Sequence, residues 1–233
     1  MAAGTVLIVG GTQGLGRELA QAYADDGRDV LVTGRDTTRA EAAATEIGGS
    51  TRGLGFDLAD PHAIEGALAD VGDVDYVVLA AIERDTNKVG EYDIESALRL
   101  VTLKLVGYTE VIHALGPRLR PDSAVLIFGG LARDRPYPGS TTVTTVNGGV
   151  TSLIRTLVIE LAPIRVNGLH PAIVGDSPQW RDMPAERMQA LVDRTPIGRL
   201  VTMAEIVGAS RFLLENRAVN GINLVVDGGW TCM

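Results

Sequence analysis

The sequence predicts an α/β fold in which helices cover both faces of one doubly wound parallel sheet. Short apolar runs alternate with helix-length segments from one end of the chain to the other, which is typical of right-handed β-α-β crossovers. Most of these runs are apolar at every position rather than at every second one, as expected for parallel strands buried on both faces. A length of 233 residues suits one domain, and no linker or internal repeat divides residues 1–233.

The apolar runs predict strands at Thr5–Val9, Asp29–Thr33, Tyr76–Ala80, Ala124–Phe128, Arg165–Leu169 and Asn223–Val226. The segments between them predict helices at Leu15–Asp25, Thr38–Ile47, His62–Ala69, Ile94–Leu115, Thr144–Leu161, Ala185–Arg194 and Met203–Leu214. Residues 97–115 are apolar on nearly every face, which predicts a helix buried against its own sheet and against a second surface. The helix from Thr144 begins with poor helix formers and contains Gly148–Gly149, a pair that lets another backbone approach closely.

Charge and composition exclude several classes of partner. The formal net charge of −8 argues against a nucleic-acid partner, because a phosphate backbone is bound through a basic surface. Cys232 is the only cysteine, which excludes an intrachain disulfide and fits a reducing cytoplasm. No signal segment opens the chain, and no uncharged run is long enough to cross a membrane. We therefore expect a cytoplasmic protein with no membrane partner, and we assign no metal site.

A glycine-rich turn joins the first predicted strand to the first predicted helix, and it reads Gly10-Gly11-Thr12-Gln13-Gly14-Leu15-Gly16. Glycines permit a tight turn, and the helix N-terminus offers free N–H groups and the positive end of its dipole to a pyrophosphate. No Gly-Lys-Ser/Thr follows, which excludes a P-loop nucleotidase. The turn therefore predicts a dinucleotide site of the Rossmann type, with contacts from Gly10, Thr12, Gln13, Gly14, Leu15 and Gly16.

The end of the second predicted strand favours NADP over NAD. An enzyme that selects NAD needs an acidic side chain there to accept from the ribose 2′-hydroxyl, but this sequence has Gly34. Arg35 follows at once, and its guanidinium suits the oxygens of a 2′-phosphate. Arg39 is one helical turn further and is placed to assist. The alternative interpretation is that Arg35 is a solvated residue at the start of a helix.

Further segments in the same order carry a family resemblance: Phe56-Asp57-Leu58, Val166-Asn167, Pro171-Ala172 and Val226-Asp227-Gly228-Gly229. Together with the spacing Gly10-x-x-x-Gly14-x-Gly16, they make the chain similar to the short-chain dehydrogenase/reductase family over essentially its whole length. The resemblance implies that Asp57 contacts adenine and that the segment from Pro171 lies beside the nicotinamide. The cofactor contacts it implies are from Asp57, Leu58, Ala80, Ala81, Ile82, Asn147, Pro171 and Ile173.

The resemblance ends at the proton-transfer residues, since the family's usual set is an Asn, a Ser and a Tyr-x-x-x-Lys. Aligned through Val166-Asn167, the tyrosine position is Val143 and the lysine position is Asn147. Gly129 or Gly130 lies where the serine is expected, and Leu79-Ala80-Ala81-Ile82 replaces the family's Asn-Asn-Ala-Gly. The chain therefore resembles an atypical member that lacks Tyr-x-x-x-Lys.

Lys104 is the first candidate for the missing catalytic group. It lies at the position of the family's helix asparagine, so lysine and asparagine are exchanged between positions 104 and 147. The resemblance implies that these two positions are close in space, which lets the Lys104 ammonium replace the absent one. The alternative is that Lys104 extends to solvent from an otherwise apolar helix.

The loop after the fifth predicted strand provides the other catalytic candidates, Arg133, Asp134 and Tyr137. Asp134 suits a cationic or imine substrate, and the adjacent Arg133 would favour its ionised form. Tyr137 is a remote hydroxyl acid or an aromatic wall, and the alternative for all three is an exposed charged loop. We expect residues 180–188 to form a flexible lid over the substrate.

These features predict an NADP(H)-dependent oxidoreductase that reduces a C=O or C=N (imine) bond of a small molecule. A cationic imine needs no strong acid, which is compatible with the lost tyrosine. Two alternatives remain open: a non-redox enzyme such as a cyclase or isomerase, and an NADP-sensing binding protein. The family forms dimers and tetramers through the two helices that contain residues 97–115 and Gly148–Gly149, so the resemblance implies a homo-oligomer, a tetramer or a dimer.

Overall fold

The computed structural model describes residues 4–180 and 182–233. It contains one seven-stranded sheet in the order β3-β2-β1-β4-β5-β6-β7, and all neighbouring strands are parallel. The strands are β1 (Thr5–Val9), β2 (Val30–Gly34), β3 (Thr51–Gly55), β4 (Val74–Leu79), β5 (Leu119–Phe128), β6 (Arg165–Pro171) and β7 (Asn223–Val226). The predicted doubly wound α/β class is confirmed.

The α-helices of the described residues are α1 (Gly14–Asp25), α2 (Thr37–Ile47), α3 (Ile64–Ala67), α4 (Ile94–Val101), α5 (Tyr108–Leu115), α6 (Thr141–Glu160), α7 (Ala185–Asp193) and α8 (Met203–Glu215). A π-helix, Thr102–Gly107, joins α4 to α5. Short 3-10 turns occur at Pro61–Ala63, Gly116–Arg118, Leu131–Arg133, Pro178–Trp180 and Trp230–Cys232.

Alternate residues of each central strand enter two separate cores, one on each face of the sheet. Along β1, Val6 and Ile8 pack with α1, α2 and α8, whereas Leu7 and Val9 pack with α3, α5 and α6. All four side chains are at most 1% exposed. Burial on both faces explains why the sequence of β1 is apolar throughout.

The strand order reverses between β1 and β4, because β1 continues toward β2 and β3 while β4 continues toward β5. In open parallel sheets, ligands bind in the crevice at the carboxyl ends of the strands next to such a reversal. The glycine-rich turn after β1 and the loops after β2, β4, β5 and β6 all leave the sheet at this edge.

Strand β3 lies at one edge of the sheet and is not predicted by any apolar pattern. Its sequence, Thr-Arg-Gly-Leu-Gly, is neither apolar nor alternating, and its residues are half-buried or exposed. The two glycines are needed for contact with α2: a Cβ at Gly53 would overlap the Ala40 and Glu41 backbone, and one at Gly55 would overlap Thr37. Packing on α2 thus replaces the apolar pattern that marks the other strands.

The long helix predicted over Ile94–Leu115 is wrong in one respect, because a π-helix interrupts it. One face of this segment is also unpartnered within the chain: Ile94, Leu98 and Val106 are 59%, 55% and 51% exposed.

Helix α6 begins three residues before the predicted start, and the predicted His62–Ala69 helix is reduced to a 3-10 turn and the single turn of α3.

Within the described residues, no helix combines the length and apolar character needed to cross a membrane. In the same part of the chain, no group of three or more His, Cys, Asp or Glu side chains is arranged to hold a metal ion.

We predict a homotetramer that buries the exposed apolar side chains of α4 and the π-helix, because apolar groups in one patch mark interaction surfaces. Light scattering of the wild type should give about four times the chain mass of 24.6 kDa. Leu98→Asp with Val106→Asp should reduce this mass, since each change places a charge in the contact. A wild-type mass of one chain at micromolar concentration would refute the prediction.

Candidate functional site

The glycine-rich turn after β1 has a backbone that only glycine accommodates easily. Gly10 and Gly14 have positive φ angles of 86° and 55°. A Cβ at Gly10 would lie 2.6 Å from the Ala81 backbone, and one at Gly16 would overlap the Gly10 carbonyl oxygen. Open space lies beside Gly14 instead, where an added Cβ would meet no atom within 4 Å. The turn is therefore closely packed on the protein side and open on the other.

Helix α1 begins at this turn without a side-chain cap. Its N-cap residue, Gln13, makes no capping hydrogen bond, whereas Asp36, Asp93 and Thr202 cap α2, α4 and α8. The first N–H groups of a helix need an acceptor, and the end of the helix dipole is positive. An uncapped start beside open space thus fits the pyrophosphate of a dinucleotide.

The end of β2 forms the second part of the site. Gly34 lies against Thr12, since a Cβ added at Gly34 would be 2.8 Å from Thr12 Cγ2. Arg35 and Arg39 lie beside these residues, and both are exposed. The Arg39 guanidinium donates to Gln13 Oε1 at 2.6 Å. This corner therefore has two guanidinium groups and no room for an acidic side chain at position 34 unless Thr12 moves.

A chain of ion pairs connects this corner to the residues after β3 and β4. Arg99 of α4 donates to Asp57 at 3.0 Å and to Glu83 at 3.0 Å. Glu83 also lies 3.6 Å from Arg35. Asp57 accepts the backbone N–H of Ala59 as well, at 2.9 Å. These contacts fix the Asp57 carboxylate next to the crevice and occupy both Glu83 and Arg35.

Lys104 is buried, and the alternative that it extends to solvent is wrong: its side chain is 1% exposed. It lies in the π-helix, and π-helical turns are frequent at functional sites. Its ammonium is 3.1 Å from Tyr108 Oη and 3.5 Å from the Ala81 carbonyl oxygen, and the Tyr108 hydroxyl donates to the same carbonyl at 2.5 Å. Because Ala81 packs on Gly10, the ammonium lies directly behind the glycine-rich turn.

Burial without a carboxylate partner changes the proton affinity of both side chains in this pair. Desolvation lowers the pKa of Lys104 to about 7, and the positive charge of Arg84 contributes to the decrease. Desolvation raises the pKa of the Tyr108 hydroxyl far above its ordinary value, so this group stays neutral. An amine with a pKa near neutrality is suited to give and take a proton.

The other predicted cofactor residues differ in their exposure to the crevice. Ala80 and Ala81 follow β4 and are half-buried, and Ile82 is 50% exposed. The Leu58 side chain lies in the core beneath the crevice, which leaves only its backbone near the surface. Pro171 ends β6, and Ile173 lines a small cavity of about 10 Å³ with Ala172, Thr195, Leu200 and Trp230.

Asn147 and Val143 lie one turn apart on α6, and both are buried. A Cβ at Gly130 would come 3.0 Å from Asn147 Nδ2, so the amide lies against the backbone that follows β5. The structure therefore brings Asn147 to the carboxyl end of β5, while Val143 contributes to a small core with Leu100, Ala132 and Val146.

Arg133 points into the protein rather than over the crevice. Its Nη1 contacts Thr151 at 2.6 Å and His170 Nε2 at 3.0 Å, and its Nε donates to Asp134 at 2.8 Å. Burial lowers the pKa of His170 to about 4, and the Arg133 charge adds to that effect. His170 is therefore neutral at pH 7, and Arg133 binds the loop after β5 to β6 and α6.

The remaining two loop candidates are exposed. Asp134 has a side chain 49% exposed, with Arg133 as its ion-pair partner. Tyr137 is 52% exposed and lines an open groove of about 430 Å³ with Lys88, Val89 and Thr144. Of the predicted lid, residue 181 lies outside the described residues, and Trp180 ends a 3-10 turn.

Comparisons with known proteins identify the family of this chain and its fold relatives. A family model described as enoyl-(acyl carrier protein) reductase matches residues 9–231. A 3-oxoacyl-[acyl-carrier-protein] reductase of Bos taurus is 28% identical, with 95% of each chain covered, and an L-xylulose reductase of Bos taurus is 28% identical, with 96% of this chain and 95% of the relative covered. A solved structure described as a short chain dehydrogenase/reductase family protein is 28% identical, with a TM-score of 0.88 and 100% of both chains covered.

The match spans the glycine-rich turn, all the strands from β2 to β7 and the turn after β7. The chain belongs to the short-chain dehydrogenase/reductase family of oxidoreductases.

Proposed function

We propose that the protein is an NADP(H)-dependent oxidoreductase that reduces a C=O or C=N bond of a small molecule. The end of β2 is the main support for NADP over NAD. Thr12 fills the space beside Gly34 there, and the guanidinium groups of Arg35 and Arg39 lie nearby. A 2′-phosphate offers these guanidinium groups several oxygen acceptors, and at Arg35 it competes with Glu83.

The residues of the crevice fit the cofactor in three places. The uncapped start of α1 takes the pyrophosphate, Arg35 and Arg39 take the 2′-phosphate, and Asp57 faces the adenine. The segment from Pro171 to Ile173 and the peptides of Ala80 and Ala81 complete the walls. When bound, the cofactor supplies hydride chemistry, and the protein supplies orientation and electrostatics.

Lys104 is the residue that we propose for proton transfer. Val143 and Asn147 offer no ionisable group on α6, so an acid or base must come from another element. With a pKa of about 7, the buried Lys104 ammonium is suited to exchange a proton with the substrate oxygen or nitrogen through an intervening water. Tyr108 and the Ala81 carbonyl are positioning groups, because they fix the ammonium behind the glycine-rich turn.

Asp134 is the alternative acid or base, because it is exposed at the start of the loop over the crevice. Arg133 then acts only as a positioning residue, since its Nη1 is bound by Thr151 and His170. Tyr137 serves as an aromatic wall of the groove beside the site. Substitutions of Lys104 and Asp134 distinguish the two assignments.

A non-redox enzyme, such as a cyclase or isomerase, is the second candidate function. Val143 is the observation that favours it, because an apolar side chain on α6 cannot protonate a substrate. Stopped-flow measurement of NADPH oxidation with panels of carbonyl and imine compounds separates the two. Consumption of NADPH with stoichiometric product supports the reductase. Product without NADPH consumption supports the non-redox enzyme, and binding of NADPH without any product supports an NADP sensor.

We expect Glu83→Gln to strengthen NADPH binding by about two- to fivefold. Glu83 lies 3.6 Å from Arg35, and an exposed ion pair of this kind contributes roughly 0.2–1 kcal/mol that Arg35 must give up to bind phosphate. Calorimetric titration measures the change. The affinity for NADH is the control and should stay constant, and an equal gain for both cofactors would contradict competition at Arg35.

A further inference from the structure

Arg84 lies in the loop that follows β4, two residues after Ile82, and is not among the site residues predicted from the sequence. Its guanidinium carbon is 5.7 Å from the centre of the Trp180 ring, in the cation–π range. The contact joins Trp180, the first residue of the segment predicted as a lid, to the loop after β4. Arg84 itself remains exposed to solvent.

Neither acidic neighbour of Arg84 in sequence pairs with it, although Asp85 Oδ1 is buried without a partner among the described residues. Glu83 pairs with Arg99 and Arg35. The Asp85 carboxylate accepts from Asn87 Nδ2 at 2.6 Å. No acidic side chain of residues 4–180 and 182–233 forms an ion pair with Arg84, and none of their groups accepts a hydrogen bond from it. The guanidinium thus has a full charge and all its donors available.

The loop that carries Arg84 is fixed by a buried asparagine. Asn87 is 3% exposed, and its amide bonds to the Asp93 carbonyl at 3.0 Å and to Thr142 Oγ1 at 3.2 Å. Its Oδ1 accepts the Asp93 N–H at 2.7 Å, and its own carbonyl accepts the Thr141 N–H at 3.2 Å. These bonds join the loop to the start of α4 and of α6. The loop backbone three residues after Arg84 is therefore held in place before a ligand binds.

Three features of the proposed active site surround Arg84. Its charge is close enough to Lys104 to lower the pKa of that amine, and it interacts electrostatically with the Tyr137 hydroxyl. Trp180 covers one side of the guanidinium. Arg84 and Lys104 are both positive, and their mutual repulsion decreases when an anion binds at Arg84.

We propose that Arg84 binds an anionic group of the substrate, a carboxylate or an equivalent oxyanion, with the Trp180 ring against the same guanidinium. The site takes a small carbonyl or imine compound that carries this anion close to the reducible bond. The identity of the reducible bond rests on the proposed function. The anion site does not depend on that function.

A binding assay without cofactor tests the anion site. The Trp230→Phe variant leaves Trp180 as the only tryptophan, since the chain has two. Its fluorescence is titrated with acetoacetate and with acetoacetamide, which have the same size and ketone but differ in charge. We expect at least about tenfold tighter binding of acetoacetate. Arg84→Gln in this background should remove the difference, and Arg84→Lys should restore part of it.

Arg52→Gln is the matched control, because it removes one arginine charge from the exposed amino-terminal end of β3. This variant should keep the preference for acetoacetate. Equal affinity for the two probes, no measurable acetoacetate binding at about 100 mM, or a preference that survives Arg84→Gln would overturn the proposal. If the preference holds but no compound of the panel oxidises NADPH, the reductase is refuted and the anion site is supported.

Discussion

Replacement of Lys104 by methionine is expected to lower turnover by about one to three orders of magnitude, within the range typical of a lost general acid or base. Methionine keeps the apolar stem in the buried pocket and removes only the ammonium. The affinity for NADPH that depends on Arg35 should be preserved. Lys104 contacts Ala81 after β4, whereas Arg35 follows β2 on the opposite side of β1. Steady-state kinetics and calorimetric titration of the same preparation separate the two effects.

The same variant should be more stable than the wild type. The pKa of Lys104 falls from 10.5 to about 7 on folding, so the folded state binds fewer protons than the unfolded state between these values. The wild-type free energy of unfolding therefore rises with pH across this window. Below pH 7 the folded protein bears the full cost of burying the charged Lys104 ammonium. Methionine has no such cost, and we expect a gain of a few kcal/mol at pH 7 that shrinks toward pH 10. Urea denaturation at both pH values measures it.

Asp134→Asn is the control for the catalytic assignment. It removes the exposed carboxylate and leaves the buried contacts of Arg133 with Thr151 and His170. We expect turnover in this variant to remain within a factor of about three of the wild type. Normal turnover in Lys104→Met together with a collapse in Asp134→Asn would move the chemistry to the loop. Normal turnover in both would mean that the site mainly positions substrate and cofactor.

Arg35→Ala is expected to weaken NADPH binding about 10- to 100-fold and to leave NADH binding almost unchanged. A hydrogen bond to a charged group contributes roughly 1.5–3 kcal/mol, which converts to this range. Calorimetric titration with both cofactors measures the difference. Arg217→Ala is the matched control, since Arg217 is 82% exposed and its nearest carboxylate, Asp122, is in β5. Equal losses for NADPH and NADH would show that Arg35 does not bind the 2′-phosphate.

Local patterns were sufficient to predict six of the seven strands and the glycine-rich turn after β1. Runs such as Thr5–Val9 are apolar at every position because both faces of the sheet are covered. The glycines at 10, 14 and 16 are needed for positive φ angles or close backbone contacts, and these requirements appear directly in the sequence. The sequence also shows directly that position 34 is a glycine and not an acidic residue.

The parts that the sequence did not reveal depend on contacts between distant segments. Edge strand β3 is defined by its packing on α2, and no apolar pattern marks it. Arg133 was expected over the crevice, but its direction is determined by Thr151 and His170, which are 18 and 37 residues away. Arg84 belongs to no sequence motif. Its proposed role in anion binding follows from the partners of Glu83 and Asp85, which are Arg99 and Asn87.

The contact between Gly34 and Thr12 has a consequence for how cofactor preference evolves in this chain. An acidic residue at position 34 would place its Cβ 2.8 Å from Thr12 Cγ2, so the substitution is strained unless threonine changes its rotamer or is itself replaced. The effect of a mutation at one position therefore depends on the residue at the other. Under the proposed NADP preference, a change toward NAD is easier when Thr12 is replaced by a smaller residue before a carboxylate appears at position 34.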